Sequence, residues 1–249
     1  MKLRGLTGWL DRTLRVAAFD DVSNNGVQIA RTGDEVTDVA VAVDASARAV
    51  RAAAAAGAQL LVVHHGISWG GGIRRLEGGV YAVVKAAMEA NLAVYACHLP
   101  LDAHPTLGNN AQLAKRLGLV KTRPAFCYHG HVIGLVGEGS GVRLAELAEA
   151  SGLPFPDSAL RAFTRSKRLR VGICSGGAGE FAEEAKRLGC DLYLTGEASW
   201  GDVVAAENCG QAMVCAGHYA TEVFGVRAVA ESMGRALRVR TVDLTEDLR

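Results

Sequence analysis

The sequence of 249 residues predicts an α/β fold in two domains of similar size. Three observations carry this reading. Short apolar runs rich in β-branched residues alternate with longer segments of helical period, the pattern of sheets with a large parallel component. The same rhythm starts again near Phe126, without any residue-level repeat. No long flexible linker appears, so the stretch Thr122 to Pro124 is the best boundary the sequence offers. The predicted division puts residues 1–124 and 217–249 in the first α/β domain and 125–216 in the second.

The elements follow in order. Residues 5 to 19 read as a helix, with Leu6, Leu10, Leu14 and Ala17 on one face. VQIA (27–30) and VTDVAVAVD (36–44) read as strands. Ser46 is placed to cap a helix that runs through the alanines to Ala56. QLLVVH (59–64) is a strand, a helix follows near 79–90, and LAVYAC (92–97) is a strand. A loop rich in Pro, Gly and Asn is expected over 99–109, followed by a helix. In the second set, CYHGHVIGLVGE reads as one strand and VRLAELAEASG as a helix stopped by Gly152. LRVGICSG, DLYLTG and QAMVCAG read as strands, AGEFAEEAKRLG and GDVVAAENCG as helices. TEVFGVRAVAESMGRAL is the last long helix and RVRTVDL the last strand.

Composition sets limits. Hydrophobic residues make up 49%, enough for a packed core, and no apolar run reaches a membrane span. The start, MKLRGLTGWLDRTLRV, is charged throughout and lacks the apolar stretch of a signal peptide, which predicts a cytoplasmic protein. A net charge of +1 does not point to nucleic acid or an acidic partner. The densest basic run, RSKRLR (165–170), reads as a solvated loop. The six cysteines form no CxxC pair and are expected to be reduced and mostly buried.

Ligand-capable side chains gather where strands end. His64 and His65 close one strand. His98 follows the next, with Asp102 four residues on and His104 after it. His218 follows a later strand, and Glu222 lies four positions on, one helical step away. Sites in open α/β sheets lie outside the carboxyl ends of strands, so these clusters can converge on one cleft. Imidazole suits Zn, Fe, Ni or Cu, and carboxylates add hard oxygen donors. One tetrahedral ion needs about four ligands. Five residues, His64, His65, Asp102, His218 and Glu222, fit two ions better than one, with Glu222 able to bridge. Neighbouring side chains on a strand point to opposite faces, so the adjacent histidines are awkward on one ion and natural on two. Gly66 is expected to let the backbone turn away.

DVSNNGVQIA, LLVVHHGISWGG, ACHLPLDAHPTLGNNAQLA, DLYLTGE and GHYATEVFGVRAVAE together resemble the Nif-three-like family, whose members are also known as type 2 homologues of GTP cyclohydrolase I. The resemblance runs from about Leu6 to Asp243, with the length of the compact bacterial branch that lacks an inserted middle domain. It implies a dinuclear metal site in the cleft between two α/β domains, two divalent ions per chain (Zn, Fe or Mn) and a toroidal homo-hexamer. The family's metal motif falls on His64, His65, Asp102, His218 and Glu222. His98 matches a histidine near the family site, an acid/base group or a partner of a ligand. Many members have threonine where this chain has Leu99, which removes a hydroxyl from that place.

Other residues carry two readings. CSGGAGE (174–180) reads as a strand-to-helix turn, with a phosphate cradle as the alternative. Glu197 is either a partner for a ligating histidine or a surface carboxylate. Asp44 either belongs to the site or caps a helix. Trp69 either walls a pocket, stacks on a base or packs in the core. His129 and His131 share a strand face and read as core or edge histidines. Asn24 and Asn25 make a turn before Gly26.

The functional expectation is a metal-dependent hydrolase acting on a small molecule, a nucleotide or related compound, by cyclohydrolase-like ring opening or phosphoester hydrolysis, with His98 moving protons. The alternative is a non-catalytic, ring-shaped metal-binding or scaffold protein.

Overall fold

A computed structural model describes residues 1–150 and 168–248. The chain forms two compact units of nearly equal length, Met1–Leu101 with Gly225–Arg249 and Asp102–Phe224. Each holds a five-stranded sheet with helices, the α/β architecture predicted.

In the first unit the strands β1 (Gly26–Ile29), β2 (Asp38–Asp44), β3 (Leu60–His65), β4 (Ala93–Ala96) and β10 (Arg240–Asp243) are ordered β1-β4-β3-β2-β10. Only β1 is antiparallel to its neighbour. The central residues Val39 to Val43 are buried without alternation, as a sheet covered on both faces requires. On one face α2 (Ala47–Ala55) and α3 (Gly78–Glu89) contribute Ala49, Val50, Ala53, Val83, Ala86 and Ala87 to a core with Ala40, Ala42, Leu61, Val63, Val94 and Ala96. Alanine on both helices and strands lets the layers approach closely. The Ser46 hydroxyl accepts from Ala49 N at 3.0 Å and caps α2 as expected. The first helix, α1 (Leu3–Leu14), buries Leu6, Leu10 and Leu14, each worth about 1.5–3 kcal/mol of apolar burial. The chain then tightens into a 3-10 turn at Val16–Ala18, where one longer helix was expected. Tyr95 of β4, fully buried, reaches Asp11 of α1 with its hydroxyl at 2.8 Å.

One helical turn, α4 (Leu99–Asp102), interrupts the segment expected to be loop. It starts as Leu101 N bonds the His98 carbonyl at 2.8 Å. Pro100 fits because the first turn of a helix has no use for its missing N–H.

The second unit contains α5 (Asn109–Arg116), β5 (Val120–Tyr128), β6 (His131–Gly139), α6 (Gly141–Ala150), β7 (Leu169–Gly177), α7 (Ala182–Arg187), β8 (Leu192–Glu197), α8 (Trp200–Cys209) and β9 (Met213–Cys215), with strand order β5-β6-β7-β8-β9. A helix α9 (His218–Leu237) follows. The run expected to be one strand is a hairpin. His129 (φ 47) and Gly130 (φ 82) make its two-residue turn, and Tyr128 pairs with His131. His129 and His131 therefore do not share a strand face. Strand β5 was missed because Pro124 lies within it, and β5 is an edge strand, where proline is tolerated. The chain leaves the first unit at 101/102, earlier than the expected boundary at Thr122 to Pro124, because α5 packs on β6 and β7. The expected helix stop at Gly152 and residues 165–167 of the basic run lie outside the described residues. All six cysteines are free thiols. Cys97, Cys174 and Cys190 are buried, Cys127 and Cys215 exposed.

The core of the second unit centres on Phe126, whose ring meets Phe181 and Tyr193 at centroid distances of 5.8 and 5.2 Å. It lies over bare backbone. A Cβ on Gly134 or on Gly172 would stand 2.7 Å from the Phe126 ring. Gly172→Ala overpacks this bed and is expected to destabilise the protein by about 1–3 kcal/mol, read as a lower denaturation midpoint. An unchanged midpoint would show that the ring has room to move.

Candidate metal centre

The donors of the first unit stand at the carboxyl ends of three adjacent parallel strands, β2, β3 and β4. Strand β3 ends in His64 and His65, and His98 lies two residues beyond the Val63–Ala96 pair. Alternation predicts that the adjacent imidazoles part. Instead their ring centroids lie 4.5 Å apart. Each ring is drawn by its own acceptor. His64, fully buried, donates Nδ1–H to the Cys97 carbonyl at 3.0 Å. His65, the last residue of the strand, donates to Asp44 Oδ1 at 2.9 Å, and Asp44 is its register partner on β2. Asp44 thus belongs to the site, and Ser46 does the helix capping.

His98 joins this pair. Its ring centroid is 5.2 Å from that of His64 and 5.7 Å from that of His65, and ring nitrogens of the three lie within 4.8 Å of one another. Its Nδ1–H donates to Asp21 Oδ1 at 2.9 Å. The Asp21 side chain is 1% exposed. It also accepts from Leu99 N (2.9 Å), Ser23 N (3.1 Å) and the Asn25 amide (2.8 Å). Asn25 in turn accepts from His98 N at 2.8 Å. Burial opposes the charge on Asp21, but the His98 imidazole, the Asn25 amide and Ser23 N–H outweigh it and lower the carboxyl from 3.8 to about 2. Sequence reading gave Asn25 a turn role and missed Asp21, because DDVSNNG carries no ligand spacing.

The HHG turn is held from behind. Gln28 Oε1 accepts from Ile67 N (2.6 Å) and Ser68 N (3.1 Å). A Cβ on Gly66 would stand 2.2 Å from that oxygen, so glycine is needed here for space and not for an unusual φ. Trp69 donates its indole N–H to the Gly66 carbonyl at 3.0 Å and stands edge-on to His98 at 5.1 Å. It is 37% exposed, a wall beside the imidazoles and not a core residue.

The second unit assembles its own donors. Asp102 Oδ1 accepts from the Asn109 amide (2.8 Å) and the Ser175 hydroxyl (3.1 Å). An oxygen of Asp102 lies within 4.8 Å of one of Glu222. His218 Nε2 and Glu222 Oε1, one turn apart on α9, are separated by 3.2 Å. His218 Nδ1–H donates to Glu197 Oε1 at 2.9 Å, which makes Glu197 a histidine's partner. Glu222 foremost, and Glu197, raise His218 to about 9 against the opposing effect of burial. These carboxylates call for positive charge. Gly176 (φ +70) passes so close that a Cβ would stand 2.4 Å from Glu222 Oε1.

CSGGAGE braces this cluster. Ser175 N bonds Asn110 Oδ1 (2.8 Å), Gly176 N bonds Thr221 Oγ1 (3.1 Å) and Ala178 N bonds Thr195 Oγ1 (3.2 Å). Those three N–H groups are committed to side chains of the unit. His104 has the opposite ring polarity from the others. Its Nδ1 accepts from Leu107 N (2.9 Å) and Thr106 N (3.3 Å), so it closes a turn.

The donor set fits a metal ion. His64, His65, His98 and His218 each face an acceptor with Nδ1; in the neutral ring the proton sits there and Nε2 keeps its lone pair, and His218, raised to about 9, must give up the Nε2 proton it shares with Glu222 before it can bind an ion. An acceptor behind each imidazole is the arrangement that orients metal-ligating histidines. The first unit brings together His64, His65 and His98, and in the second Glu222 lies near both Asp102 and His218.

A carboxyl lowered on folding stabilises the folded state above its unfolded value, and that stabilisation is lost as pH falls. For Asp21 it amounts to about 2 kcal/mol, present above pH about 4 and lost on the way to pH 2. Denaturant titrations at pH 5 and pH 3 are expected to show a steeper acid loss in the parent protein than in Asp21→Asn. Equal slopes would remove Asp21 as a source of stability.

The profile of the Duf34/NIF3 (NGG1p interacting factor 3) family matches residues 1–247. The GTP cyclohydrolase 1 type 2 homolog of Pyrococcus horikoshii is 38% identical over 240 residues, 95% of each chain. That of Deinococcus radiodurans is 41% identical over 228 residues, 90% of this chain and 86% of the other. The solved structure of protein ybgI, described as of unknown function, superposes with a TM-score of 0.85 at 31% identity over 98% of each chain. The chain belongs to the Duf34/NIF3 family.

Proposed function

We propose that His64, His65, Asp102, His218 and Glu222 hold two divalent metal ions and that the protein is a metal-dependent hydrolase acting on a nucleotide or related compound. The observation that carries this is the shared polarity of the imidazoles, each held through Nδ1 by an acceptor, next to carboxylates that favour positive charge. Bound ions would supply Lewis acidity toward a substrate oxygen or C=N bond and acidify water.

The chain's own residues do the rest. Asp44 and Glu197 fix the rings of His65 and His218, and Asn109 and Ser175 fix Asp102. Trp69, rigid and partly exposed beside the histidines, offers its indole to a base. The proton-carrying role expected of His98 is part of the same proposal, with Asp21 holding its Nδ1–H. The nucleotide substrate follows the name of the relatives, GTP cyclohydrolase 1 type 2 homolog. The hexamer is proposed as well. Tyr81 and Met88, two turns apart on α3, are 49% and 71% exposed, and Trp200 on α8 is 78% exposed, apolar surface suited to an interface. Among the described residues no helix is long and apolar enough to cross a membrane.

Metal content of protein purified without chelator or added metal is expected at two ions per chain. Nucleotides and phosphoesters are then screened for turnover. Chelation, or His65→Ala, should abolish it, with recovery on adding metal back to the parent only. Stoichiometric metal without turnover on any substrate would favour the scaffold reading. A mass measurement in solution equal to one chain would remove the ring.

A further inference from the structure

We propose that at single-ion occupancy the metal sits on three imidazoles of the first unit, His64, His65 and His98, so that His98 is a metal donor and not only a carrier of protons. This rests on the metal-centre reading above and adds a donor and an order of filling to it.

Three observations lead here. The first is distance. Nitrogens bound to one ion at about 2.1 Å are at most about 4 Å apart, and ring nitrogens of these three histidines already lie within 4.8 Å of one another. The objection that adjacent histidines cannot share an ion disappears, because their rings are 4.5 Å apart on one side of the strand end.

The second is polarity. Each of the three directs Nδ1–H to an acceptor: Asp44 at the end of β2, the Cys97 carbonyl just past β4, and Asp21 in the loop before β1. His98 is therefore prepared in the same way as His65, with a carboxylate behind the ring at the same 2.9 Å. His104 shows that this is not the default for a histidine of this chain, since its Nδ1 accepts.

The third is rigidity. Four hydrogen bonds hold the buried Asp21 carboxylate, and Asn25 grips the His98 backbone, so the third ring is fixed without an ion. All three donors come from residues 1–101, at the ends of β3 and β4. Three imidazoles favour zinc, cobalt, nickel or copper over manganese, magnesium or calcium. The first ion is thus selected by nitrogen, and carboxylates contribute when the second arrives.

The test uses the full chain, stripped of metal and loaded with one equivalent of zinc or cobalt(II). X-ray absorption of the zinc protein is expected to count three imidazoles. With each of the adjacent histidines on its own ion, as the five-residue reading has it, no ion holds more than two. His98→Ala should lower the affinity for the first equivalent 10- to 100-fold and change the cobalt absorption spectrum. Asp21→Asn should move both in the same direction by less. One equivalent of zinc should be retained against a hundredfold excess of manganese. If two or fewer imidazoles are counted and His98→Ala binds the first equivalent as the parent does, the proposal is overturned while the dinuclear reading stands. Should the parent bind no metal, the dinuclear reading itself fails. If His98→Ala does not fold, the imidazole count on the parent still decides.

Discussion

The site depends on one repeated interaction, the hydrogen bond from a histidine Nδ1–H to an acceptor that the fold has fixed beforehand. A neutral imidazole can carry its proton on either nitrogen. A ligand histidine is useful only when the choice is made for it. In the first unit parallel pairing makes the choice. The register that sets Asp44 beside His65 and Val63 beside Ala96 also brings the Cys97 carbonyl to His64. The packing of α2 and α3 on this sheet therefore has a chemical consequence, because it fixes strand ends and with them ring polarity.

The second unit reaches the same result by different means. Its donors are braced by a turn of glycine and hydroxyl residues. Gly176 and Gly196 let backbone run where a side chain would collide with Glu222, Thr221 or His218. Thr221 and Thr195 absorb the N–H groups that this close approach leaves. The turn thus braces the carboxylate of Glu222 through its neighbours, with the threonine hydroxyls taking up backbone N–H groups.

Much of this was legible in the sequence. Periodicity located most strands and helices, and Ser46 announced its cap. The ligand candidates stood out because histidine and carboxylate recur where strands end. What failed has physical causes. Pro124 disguised an edge strand, and the His-Gly turn at 129–130 was hidden inside what looked like one apolar run. Alternation assigned His64 and His65 to opposite faces, but it describes a strand's interior, and His65 is its last residue. Asp21 and Gln28 were invisible because their importance arises from contacts 77 and about 40 residues away along the chain, with no spacing to mark them.

Two carboxylates stand behind imidazoles of the first unit, the buried Asp21 and the exposed Asp44. Water screens the exposed Asp44, so the buried Asp21 is the charge that a cation on these rings would feel most strongly. The loop before the first strand thus brings charge to the imidazoles as well as orientation.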